Sequence, residues 1–82
     1  MKKSVGHLID QTKLEPGQRY ILNGPSGEAL VTLEGVFQGE GTFLIERGQL
    51  HSVREDKTYR RGDTYVLPID GWEATKFYVP AS

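Results

Sequence analysis

Ala29-Leu30-Val31-Thr32-Leu33-Glu34-Gly35-Val36-Phe37-Gln38-Gly39-Glu40-Gly41-Thr42-Phe43-Leu44-Ile45-Glu46 is the stretch that decides the fold class. Val31 and Leu33 alternate with Thr32 and Glu34, and Phe43 and Ile45 share one side of the next run. That period of two is the mark of strands with one face buried. Gly35, Gly39 and Gly41 interrupt Val36-Phe37, and glycines inside a β region mark bulges, bends or close backbone approach.

The same punctuation extends in both directions. Upstream, Glu15-Pro16-Gly17-Gln18 reads as a type II turn, with Pro presetting φ and Gly accepting a positive one. It leads into Arg19-Tyr20-Ile21-Leu22, and Asn23-Gly24-Pro25-Ser26-Gly27 is the strongest turn signal of all. Val5–Ile9 reads equally as a strand or as one helical turn. Downstream, Arg47-Gly48-Gln49 reads as a turn into Leu50–Arg54, and Glu55-Asp56-Lys57 as a polar turn before Thr58-Tyr59-Arg60. Arg61-Gly62-Asp63 turns again into Thr64–Leu67, Pro68 closes that strand, and Ala74–Val79 forms the last one. Short strands at such spacing predict an all-β barrel or sandwich. The expected interior is Leu22, Val31, Leu33, Phe43, Ile45, Val53, Leu67 and Val79.

Eighty-two residues make one domain, 1–82, with no cysteine for disulfides or for a cysteine-type zinc site. A core this small favours association, and a homo-oligomer is expected. Leu8-Ile9 runs at once into Asp10, Gln11, Thr12 and Lys13, which builds neither a signal peptide nor a membrane span. The expected location is cytoplasmic. Ten basic and eleven acidic residues give a net charge of −1. Neither half has a basic excess, so nucleic acid is a possible but not a favoured partner.

From about Ala29 to Val79 the chain resembles a cupin, in particular the small C-terminal cupin-like domain of phosphomannose isomerases. The matching residues are Leu33-Glu34-Gly35, Gly39-Glu40-Gly41-Thr42, and Gly62-Asp63 followed by Pro68. The resemblance implies a small barrel, but not the activity. Metal-binding cupins carry two histidines and a glutamate in the earlier motif and a histidine after the later proline and glycine. Here Gly35–Leu50 has no histidine, and Trp72, Glu73 and Ala74 follow Gly71. No metal or other cofactor is expected. A shorter stretch, Val31–Gly39, resembles the first half of a Sm-like or SH3-like barrel, a class that binds RNA or protein. The cupin-like barrel is the preferred reading.

No constellation in the chain calls for catalysis. His7 and His51 read as a terminal and a surface-strand histidine. Asp63, Asp70 and Glu73 gather near the expected barrel mouth, where turn roles outweigh paired acid–base work. The distinctive feature is aromatic residues interleaved with cations: Tyr59, Arg60, Arg61, Tyr65, Trp72 and Lys76. Trp, Tyr and Arg dominate binding hot spots. These six are the expected contact residues for a protein partner or a small polar ligand, although Trp72 is large enough to fill the core as well. The expected function is a non-enzymatic binding module, of a size that suits an accessory protein of a phage or mobile element. A sugar- or sugar-phosphate-active enzyme of cupin type is the remaining alternative.

Overall fold

Pro25 and Ser26 close a tight hairpin between β2 (Arg19–Gly24) and β3 (Gly27–Phe37), with Gly24 opposite Gly27. Gly27 takes φ +123°, which lets the chain return without a Cβ clash. β3 pairs in turn with β4 (Glu40–Ser52), and the chain reverses between them at Gln38 and Gly39, both at positive φ. A two-residue hairpin of the primed type demands that pair of angles. Gly39 is therefore a hairpin residue, not a bulge.

The structure, a computed structural model, describes residues 5–80, with the side chains of 5, 69, 70 and 73 excepted. The expected carboxylate positions Asp70 and Glu73 thus lie outside the described side chains. Beyond β2–β4 the strands are β1 (Val5–Ile9), β5 (Lys57–Arg60), β6 (Thr64–Pro68) and β7 (Lys76–Pro80). All pairings are antiparallel, in the order β1-β7-β2-β3-β4-β5, with β6 also on β4. The fold is all-β and barrel-like. Among the described residues the helical turns are two 3₁₀ segments, Gln11–Lys13 and Ile69–Ala74. Among the described residues no helix is long and apolar enough to cross a membrane.

Two features read as turns in the sequence prove to be irregularities within long strands. β4 runs unbroken through Gly48. Leu30 faces Arg47 while Val31 faces Ile45, so Glu46 is an extra residue and the strand bulges there. The bulge reverses which side chains point inward: Gly41, Phe43 and Ile45 before it, Leu50 after it. Likewise Arg61-Gly62-Asp63 does not reverse the chain. β5 and β6 both run antiparallel to β4, so they are two halves of one long strand kinked at residues 61–63. Ile45 N–H to Asp63 O (2.9 Å) and Gly62 N–H to Ile45 O (2.8 Å) carry the ladder across the kink.

Of the expected interior, Leu22, Val31, Leu33, Phe43 and Ile45 are fully buried, and Leu67 and Val79 pack partly against them. Val53 is a correction, being 82 % exposed. It stands in the turn over residues 53–56, where its carbonyl accepts the Asp56 N–H and its side chain is carried beyond the sheet. Tyr20, Ala29, Leu50, Tyr65, Trp72 and Phe77 complete the core.

Candidate binding site

The structure divides the expected aromatic–basic cluster into two places. Tyr59 and Tyr65 stand on either side of the kink, opposite the inward-facing Leu50 and Phe43. Their rings meet edge to face with centroids 5.0 Å apart, a favoured geometry for aromatic quadrupoles. Tyr65 is 8 % exposed and its hydroxyl hydrogen-bonds Ser26 Oγ at 2.9 Å. Tyr59 is half-buried and donates its hydroxyl to the Glu55 carboxylate. Together with Ser52, Arg54, Glu55 and Thr64 they line a cavity of about 180 Å³.

The charges around this cavity are unevenly committed. Each nearby carboxylate already has a partner. Glu55 takes the Tyr59 hydroxyl, Asp56 faces His51 Nε2 at 3.8 Å, and Asp63 accepts the Arg60 N–H at 2.9 Å. That last bond is the turn role expected of an aspartate after glycine. Arg54, Lys57, Arg60 and Arg61 are exposed and form no ion pair among the described residues. Lys57 Nζ lies 4.8 Å from the Tyr59 ring centroid, close enough for cation–π attraction. Arg60 and Arg61 thus sit at the kink, at the edge of the tyrosine pair.

Glu55 also sets how Tyr59 titrates. Its hydrogen bond to the phenol, followed by desolvation and the carboxylate charge, raises the Tyr59 pKa above the ordinary value of 10.0. A phenol with a raised folded pKa favours the folded state below the unfolded pKa, and that contribution fades as pH rises through the folded value. Ultraviolet titration should therefore find one tyrosine ionising later than in Tyr59→Phe protein. A phenolate appearing at ordinary pH for every tyrosine would contradict the Glu55 contact.

Trp72 and Lys76 lie elsewhere. Trp72 is 5 % exposed and packs on Phe43 and Phe77, with ring centroids 6.1 and 5.3 Å away. Its Nε1–H donates to the Leu67 carbonyl at 3.2 Å. The indole was expected at the rim as a stacking surface; it fills the interior because the 3₁₀ turn folds it under the sheet onto Gly41. A Cβ at Gly41 would stand 2.8 Å from the indole edge. No ring contact joins it to Tyr65 among the described aromatic pairs. Its outer margin, with Lys76, Leu8, Ile9 and Gln11, borders an open groove of about 470 Å³.

Arg54, Glu55 and Lys57 escaped the sequence reading, which took residues 55–57 as a plain polar turn. One signal was present: Lys57 and Tyr59 are two apart on a strand and so share a face. His51 is tied to Thr58 Oγ1 through Nδ1 at 3.0 Å, and His7 is exposed on β1, which is a strand and not a helical turn. Among the described residues, no three of His, Cys, Asp and Glu converge as metal ligands would.

Compared with known protein families, curated proteins and solved structures, the chain matches none.

Proposed function

We propose that this protein is a non-enzymatic binding module that grips an acidic segment of a protein partner at the kinked β5–β6 edge. The observation that carries this reading is the tyrosine-lined cavity of about 180 Å³. It falls below the ~300–1,000 Å³ typical of small-molecule and cofactor pockets, yet it suits one inserted side chain. Around it stand four exposed cations against three carboxylates, Glu55, Asp56 and Asp63, a small positive excess that favours a partner bearing acids. A cysteine-free chain suits a reducing compartment such as the cytoplasm.

Panning a random peptide library on the immobilised protein tests the proposal. Enriched peptides should be acidic and should bind more weakly as salt rises. Tyr59→Ala should weaken them by roughly 1–3 kcal/mol, about 5- to 150-fold, as a hot-spot residue would. Peptides indifferent to Tyr59→Ala would overturn the site. Tighter, Tyr59-dependent binding of a single-stranded oligonucleotide would replace the protein partner with nucleic acid.

A further inference from the structure

The outer half of β3 is an unprotected edge. β2 accompanies β3 only as far as Thr32, opposite Arg19, and Leu33 spends its N–H and C=O on Gln18 and Gly17. Past that point β3 is paired on one side only, with β4. Because Phe37 and Glu40 close the two-residue hairpin as a hydrogen-bonded pair, Val36 opposite Gly41 is the next, non-bonded pair. The Val36 N–H and C=O therefore point away from β4, where no described strand pairs with them. The side chains there are apolar: Val36 is 46 % exposed and Phe37 75 %. Gly35 adds a bare spot, with nothing within 4 Å of where its Cβ would be. The contrast with β5 is direct, since both backbone groups of its terminal Arg60 are capped by Asp63. Capped, charged or bulged edges are how sheets avoid pairing; here the charge and the bulge are both at Glu34, and among the described residues neither device reaches Gly35–Phe37.

We infer that two copies of the chain pair antiparallel along Gly35–Phe37, the regular stretch between a bulge at Glu34 and the turn at Gln38, about a twofold axis at Val36. The register is self-complementary, as an isologous contact requires. Val36 exchanges its two backbone hydrogen bonds with Val36 of the second copy. Phe37 then lies directly across from Gly35 of the second copy, in the non-bonded pair where side chains approach most closely. An aromatic covering a glycine across strands is a favourable pairing. Glu34, in the bulge, and Gln38, in the turn, flank the paired stretch, so no like charges face each other within it. The contact is small beside the roughly 1,200–2,000 Å² of a stable interface, so the dimer is weak. It joins the two sheets into one, and it stands independently of the tyrosine site.

Sedimentation from about 10 μM to about 1 mM, the range that brackets a weak interface, should show mass rising from one chain toward two. Phe37→Lys should raise the dissociation constant at least tenfold while leaving the dilute circular dichroism spectrum and melting temperature unchanged. The chain has no cysteine, so Val36→Cys gives a clean second measurement. It should oxidise to a disulfide dimer much faster than Val53→Cys, whose site is more open, 82 % against 46 % exposed, but lies in the turn over residues 53–56. A monomer at every concentration, association untouched by Phe37→Lys, or equal cross-linking of the two cysteine variants would each overturn the proposal.

Discussion

Trp72→Ala should cost about 3–5 kcal/mol, the range for truncating a buried large aromatic. The indole is packed between Phe43 and Phe77 and closed off by Gly41. Removing it empties the end of the core where the 3₁₀ turn docks. Stabilities of whole domains run only about 5–15 kcal/mol, with chains this short at the low end. The variant should therefore be largely unfolded in a mild urea titration followed by circular dichroism. Trp72→Phe keeps a ring in place but leaves the Leu67 carbonyl without its donor, a loss of roughly 1–3 kcal/mol. Near-wild-type stability for Trp72→Ala would mean that the indole is a surface group after all.

Gly48→Ala should destabilise by roughly 2–4 kcal/mol, two effects acting at one position. Gly48 has φ +87°, a conformation that costs other residues about 1–2 kcal/mol. A Cβ there would also stand 2.9 Å from the Glu28 carbonyl oxygen and 3.2 Å from Ala29 Cα. Both obstacles are backbone, so β3 and β4 would have to separate beside the bulge. Gly62→Ala is the control. Its φ is +92° but nothing lies within 4 Å of the new methyl, so only the conformational part, about 1–2 kcal/mol, should remain. Chemical melts of both variants isolate the contact. Equal losses would show that the close approach of the two strands contributes nothing.

The sequence reading went wrong at these same long-range contacts. Arg47-Gly48-Gln49 and Arg61-Gly62-Asp63 look like hairpin turns because a glycine at positive φ serves a turn and a bulge equally well. What distinguishes them is the strand alongside. Gly62 and Asp63 meet Ile45, and Gly48 faces Ala29, across ladders that sequence neighbours do not reveal. Trp72 and Tyr65 were read for their chemistry, as interface residues, while their burial depends on which elements fold over them. Tyr59, read as one of six residues of a single face, stands beside Tyr65, and the contacts around the pair were not legible. Glu55, Asp56 and Asp63 meet Tyr59, His51 and the Arg60 N–H, contacts that fix the carboxylates in place but leave them their charge.

By itself the sequence determined the all-β class, the hairpin at Pro25-Ser26, the turn at Gly17, and the central core of Leu22, Val31, Leu33, Phe43 and Ile45. Each of these follows from local physics: a period of two, or a glycine or proline whose φ suits one turn. The tertiary structure alone decided that β5 and β6 are one kinked strand, that Trp72 is interior and Val53 exterior, and that the candidate site reduces to the tyrosine pair with its cations. Those outcomes depend on hydrogen bonds and packing between residues far apart in the chain. A bulge at Glu46 reverses the facing of everything after it, and a period read along one strand carries no record of the extra residue until its partner is in place.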